Sequence, residues 1–126
     1  MEGIELMEKT KSFMELIVWQ KAHKLVLEVY KLTKSFPKEE LFCLTSQLRR
    51  AVVSIPANIA EGYRKRGKLD KAKYLNIAEG SLEEVKYYFI LTKDLNYSKT
   101  DLLMKEAEDI SRMLDSYRKK ILTSDS

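Results

Sequence analysis

LTSQLRRAVVSIPANIAEG, residues 44–62, is written in the rhythm of a helix. At about 100° per residue, Leu44, Leu48, Ala51, Val52, Ile55 and Ile59 fall on one arc, the face a helix turns toward a core. Gln47, Arg50, Ser54, Asn58 and Glu61 gather on a neighbouring arc about 80° wide. Val53, Pro56, Ala57 and Ala60 form a third arc, apolar again and built of compact groups. A surface helix needs one apolar face, and this one has two with a polar stripe between them. The second face therefore calls for a cover that a small bundle does not supply from within, and a neighbouring subunit is the simplest one. Pro56 removes one backbone donor mid-helix and is expected to kink the axis.

The same rhythm extends in both directions. Upstream, Trp19, Ala22, Val26, Val29, Tyr30 and Thr33 recur at three- and four-residue steps from Leu16, and Phe36-Pro37 closes that segment. Lys38 to Cys43 reads as a short turn, with Thr45 as N-cap of the second helix, which runs to about Arg66 and stops at Gly67. Downstream, Leu75, Ala78, Leu82, Val85, Phe89 and Thr92 mark a third helix over about 69–95. Gly80 beside Ala78 and Ser81 gives it a smooth patch where another backbone can approach. Asn96-Tyr97 reads as a turn, and Ser98 with Asp101 as a capping box. Leu103, Ala107, Ile110, Leu114, Tyr117 and Ile121 then step by four and three along a fourth helix, a seam of the coiled-coil kind. Four helices of matched length with short connections predict an all-α, up-down-up-down antiparallel bundle over residues 13–126, preceded by a mobile arm at 1–12.

Composition agrees. Of 126 residues, 44% are hydrophobic and 33% charged, a globular balance, and four Gly with two Pro are too few turn formers for a many-stranded β protein. The uncharged run from Ala51 to Ala60 is far short of the roughly 20 residues that span a bilayer, so no membrane association is expected. No basic leader precedes an apolar stretch, and the one cysteine, Cys43, cannot form an internal disulfide; a reduced, cytoplasmic protein is the expectation. One cysteine and one histidine, His23, exclude a Cys/His zinc site within the chain, and the Glu-x-x-His pairs of di-iron bundles are absent. Gly62 and Gly67 flank Tyr-Arg-Lys-Arg, which is not a phosphate loop. No cofactor, metal or catalytic residue is expected, and the chain does not read as an enzyme.

Charge is unevenly placed. Residues 38–73 carry nine basic and four acidic groups, while residues 74–126 carry eight and ten. Arg64, Lys65, Arg66, Lys68, Lys71 and Lys73 crowd the corner between helices two and three, opposed by Asp70 and flanked by Tyr63 and Tyr74. Basic groups neutralise phosphates and aromatic rings stack on unpaired bases, so RNA or DNA is the expected partner. The other reading of the cluster is a solvated corner. The polar stripe likewise has two readings: a hydrogen-bond network that sets helix register or subunit contacts, or a site where Arg50, Asn58 and Glu61 hold a small ligand.

Five segments are familiar together: Leu16 to His23 (LIVWQKAH), Phe36 to Glu40 (FPKEE), Leu44 to Ala51 (LTSQLRRA), Ser54 to Gly62 (SIPANIAEG), and Ala78 to Leu82 (AEGSL) followed by Glu84. They resemble the four-helix-bundle proteins encoded in intervening sequences of 23S ribosomal RNA genes, over roughly residues 13–97. Helix four is similar in character, and Cys43 stands where that family usually has Gly. The resemblance implies a homopentamer with a central opening. It also implies kinship with the accessory proteins of diversity-generating retroelements, which associate with a reverse transcriptase and nucleic acid. The reading is thus a non-enzymatic oligomeric accessory protein that binds nucleic acid through a basic rim; the alternatives are a protein scaffold for a nucleic-acid enzyme without RNA affinity of its own and, last, a small-molecule binder or enzyme using Arg50, Asn58 and Glu61.

Overall fold

A computed structural model describes residues 10–124. Its elements are four long helices: α1 (Ile17–Thr33), α2 (Leu44–Arg64), α3 (Lys68–Asp94) and α4 (Asp101–Thr123). Short 3-10 turns at Phe13–Glu15 and Lys38–Glu40 precede α1 and α2. Each helix packs on the next, most extensively α2 on α3, and α4 closes back on α1. The chain is an antiparallel four-helix bundle.

The core is the one the periodicities select. Leu48, Val52, Ile55 and Ile59 of α2 meet Leu82, Val85 and Phe89 of α3 and Ile110 and Leu114 of α4, all essentially inaccessible. On α1 the buried stripe is Val18, Ala22, Leu25, Val26, Val29 and Thr33. Trp19 and Tyr30, expected on that stripe, stand at its edges. Trp19 is half-buried against Phe13, and exposed Tyr30 lies under the Arg49 guanidinium, 4.7 Å from its ring centre. Leu103 is likewise half-buried at the start of the α4 seam.

The caps differ from their sequence assignments. Thr45 lies inside α2 and is buried; Cys43 is the N-cap and offers no side-chain bond. Glu40 takes over that role, because the 3-10 turn brings its carboxylate back to accept the Leu44 N–H at 3.3 Å. The other Glu40 oxygen accepts the Tyr97 hydroxyl at 2.7 Å, tying this loop to the α3–α4 loop. Ser98 caps nothing. Helix α4 starts after Thr100, whose hydroxyl instead donates to the carbonyl of Phe89 at 2.8 Å. Helix α2 ends at Arg64, earlier than expected, and Gly67 is the N-cap of α3. The predicted Asn96 turn is present, with Asn96 left-handed at φ 62°. Tyr97 and Asn96 N–H groups bond back to the carbonyls of Thr92 and Lys93, the two-bond close of a Schellman cap.

Most of the expected mobile arm falls outside the described residues. Its last three residues are placed. Ser12 caps the first 3-10 turn in a capping box with Glu15, and Thr10 hydrogen-bonds Tyr63 near the end of α2.

Candidate nucleic-acid interface and the faces of helix α2

Up-down-up-down topology collects the start of α1, the α2–α3 corner and the end of α4 at one end of the bundle. Two contacts fix that meeting: the Tyr63 hydroxyl with Thr10, and Lys68 Nζ donating to the carbonyl of Ser124. The six basic residues expected to hold nucleic acid all lie at this end, but in two groups. Arg64, Arg66 and Lys73 are exposed and make no side-chain hydrogen bond or ion pair among the described residues. Lys65, Lys68 and Lys71 are engaged within the fold. Lys71 Nζ donates to the Tyr63 carbonyl at 2.8 Å, neutralising the carbonyl end of α2, and burial pulls its pKa below the usual lysine range. Lys65 lies 5.1 Å from the Tyr74 ring centre, and Lys71 5.7 Å from that of Tyr63. Both flanking tyrosines, read from sequence as stacking platforms, thus already carry a cation against the ring. The end thus carries unpaired positive charge, and its two tyrosine rings are already covered by cations.

Sequence proximity alone missed Lys120. It is half-exposed near the end of α4 and without an ion pair among the described residues, and the topology delivers it to the same end. Its neighbours are spoken for: Arg118 pairs with Glu79 and Asp115, and Lys119 with Asp115. The signal for Lys120 was the bundle's connectivity rather than any local motif.

Helix α2 presents its three arcs as the wheel divides them. The polar stripe splits. Ser54 and Ser81 hydroxyls share a hydrogen bond of 2.8 Å across the α2–α3 seam. Asn58 Nδ2 donates to the Ser54 carbonyl at 2.8 Å and to its hydroxyl at 2.9 Å. Gln47, Arg50 and Glu61 stay out of this network; they are exposed, and Glu84, a possible partner, accepts from Tyr88 instead. Network and charged residues therefore do not converge on a pocket.

The third arc borders a groove of roughly 300 Å³ along the α1–α2 seam. Pro56 is buried in its floor, Ala60 is half-buried, and Val53 and Ala57 remain exposed. Across it stand Phe13, Trp19 and Val26, with His23 stacked on Trp19 at 5.0 Å between ring centres. The 3-10 turn at Phe13 is thus a partial lining that the helical reading overlooked, and the groove stays open. On α3 the expected smooth patch reduces to one position. Ala78 is buried and Ser81 is bonded to Ser54, while a Cβ added at Gly80 would meet nothing within 4 Å.

Among the described residues no group of three or more His, Cys, Asp or Glu side chains could hold a metal ion, and no helix is long and apolar enough to cross a membrane. No curated protein matches the chain. The family model described as 23S rRNA-intervening sequence protein matches residues 14–116, reaching beyond the quoted motifs and well into α4. With the bundle and the motif-bearing α2 in place, that span settles the kinship: the chain belongs to the 23S rRNA-intervening sequence protein family.

Proposed function

We propose that this protein is a non-enzymatic, homo-oligomeric accessory protein that holds nucleic acid, RNA above all, on a basic rim. The observation that supports it is the end of the bundle where Arg64, Arg66 and Lys120 stand without an ion pair among the described residues while neighbouring lysines cover the tyrosine rings. Free guanidinium and ammonium groups engage phosphates without reading bases. A ring of copies, five by the resemblance in its motifs, repeats that end around one rim and turns weak contacts into avid ones.

The test is fluorescence anisotropy with single-stranded RNA, structured RNA and duplex DNA at two salt concentrations. Binding weakens steeply with salt, and Arg64→Ala/Arg66→Ala/Lys120→Ala weakens all ligands alike and flattens the salt slope by about the number of phosphates released. Absence of binding at low salt overturns the reading.

A second reading, a scaffold for a protein such as a reverse-transcriptase-type enzyme, is favoured by a different observation. Phe42 is 87% exposed and Leu102 76%, both at the end of the bundle opposite the basic corner. Phe42→Ser that abolishes co-purification of a protein partner, with rim binding absent, selects this reading.

A further inference from the structure

Helix α3 is apolar on more sides than the bundle covers. Its inner stripe, Leu75, Ala78, Leu82, Val85 and Phe89, is fully buried. On the opposite arc, at about 100° per residue, lie Leu69, Lys73, Ile77, Gly80, Glu84 and Tyr87. Leu69 is 78% exposed, Ile77 41% and Tyr87 56%, with the open Gly80 at the middle of this arc. A helix with apolar residues on both sides is normally buried on both. The molecule therefore has two uncovered lengthwise features of opposite shape: the groove between α1 and α2, and this convex stripe on α3.

We infer that the α3 stripe, centred on Ile77 and Gly80, seats in the α1–α2 groove of a second copy of this chain, head to tail. This rests on the oligomeric part of the proposed function and adds the faces that meet and their register. Two different faces that fit one another form a heterologous contact, which closes into a ring when the rotation allows. Both features run along the helices, so the ring axis runs along the bundle, and in a closed ring every copy sits at the same height.

That constraint fixes the register. The Ser54–Ser81 hydrogen bond sets which α2 and α3 residues share a level. Counting in opposite directions from it, Ile77 and Gly80 lie level with the Val53–Ala60 wall of the groove. Arg50 falls level with Glu84, and Glu61 with Lys73. Each pair has opposite charge. The two charges on α2 and the two on α3 are both separated by about 16 Å of helix. Arg50, Glu61 and Lys73 are exposed and unpaired within the protomer, among the described residues. In the ring, Arg50 of one copy meets Glu84 of the next above the groove, and Glu61 meets Lys73 below it. Gly80 lets the α3 backbone come close where a side chain would hold the helices apart.

Sedimentation velocity on three proteins tests this. Ala57→Glu disables the groove and Gly80→Leu disables the stripe. Both positions are exposed in the protomer, so each variant keeps its helix content by circular dichroism. Each alone is expected to sediment as a monomer. Mixed in equal amounts, they are expected to form a dimer and nothing larger, since one intact groove then meets one intact stripe. Arg50→Glu is expected to raise the dissociation constant at least tenfold, and Arg50→Glu/Glu84→Arg to restore it. Wild-type size in either single variant, or a mixture that stays monomeric, overturns the inference. A monomeric wild type overturns the oligomeric reading with it. Loss of rim binding by an intact oligomer overturns only the nucleic-acid reading.

Discussion

Gly62 and Gly80 are both helical glycines, and their surroundings give them opposite tolerances. A Cβ at Gly62 would stand 2.9 Å from the Cβ of Tyr74, an atom fixed to the α3 backbone. Gly62→Ala should therefore push α2 and α3 apart at the basic corner and cost about 1–3 kcal/mol by denaturant unfolding. At Gly80 nothing in the protomer resists a side chain. In the monomeric Ala57→Glu background, Gly80→Ala should stabilise by up to about 1 kcal/mol, because alanine is the better helix former. Equal effects of the two changes would show that the corner yields more than its geometry allows. Glu28 makes a separate prediction. One of its carboxylate oxygens is buried without a partner, and burial, followed by a hydrogen bond to Glu106 and repulsion from it, raises its pKa. A carboxyl with a raised folded pKa stabilises the fold while protonated, and that contribution is lost as pH rises through the folded value. Stability should thus decline from the ordinary carboxylate range toward neutral pH. Glu28→Gln, whose amide can donate to Glu106, should gain roughly 1 kcal/mol at neutral pH and flatten the decline. A thermal-unfolding profile unchanged by Glu28→Gln would contradict a raised Glu28 pKa.

At the scale of the element, capping decides more than composition suggests. Asn96 holds the left-handed position that ends α3. Asn96→Ala should cost about 1–2 kcal/mol and Asn96→Gly nothing or less, because only the Cβ is strained there. Equal melting of the two variants would contradict this. Asn96-Tyr97 was legible as a turn because asparagine tolerates that backbone. The caps at Thr45 and Ser98 were misread because a hydroxyl in sequence does not say where the chain will bend. The Lys38–Glu40 turn brought a glutamate to the start of α2, and Thr100 bonded across to α3 instead of capping. Every residue expected on the core faces of α2 and α3 is buried, because apolar spacing selects them, while Thr45, Pro56, Gly62 and Ala72 are buried by the neighbouring elements and stand outside that spacing. On α1 the aromatic residues blurred the stripe, since Trp19 and Tyr30 are large enough to pack from its edge. The partition of the polar stripe was not legible: periodicity places Arg50 and Asn58 on one arc, but only the partner helix reveals that Asn58 joins Ser54 while Arg50 reaches solvent.

For the whole molecule, connectivity turns a local charge cluster into an end. The α2–α3 corner, the start of α1 and the last turn of α4 converge, so Lys120 joins a surface that sequence proximity assigned to residues 64–73 alone. In the proposed closed ring, whose axis follows the bundle, these ends would point the same way, and affinity for a polyanion would depend on assembly as well as on charge. The decisive measurement is an anisotropy titration of one RNA of mixed structure at low salt, with wild type and monomeric Ala57→Glu compared at equal protomer concentration. Wild type is expected to bind, and Ala57→Glu, with every basic side chain intact, to bind at least tenfold more weakly. Equal affinity of the two proteins, or no binding by wild type, would contradict this.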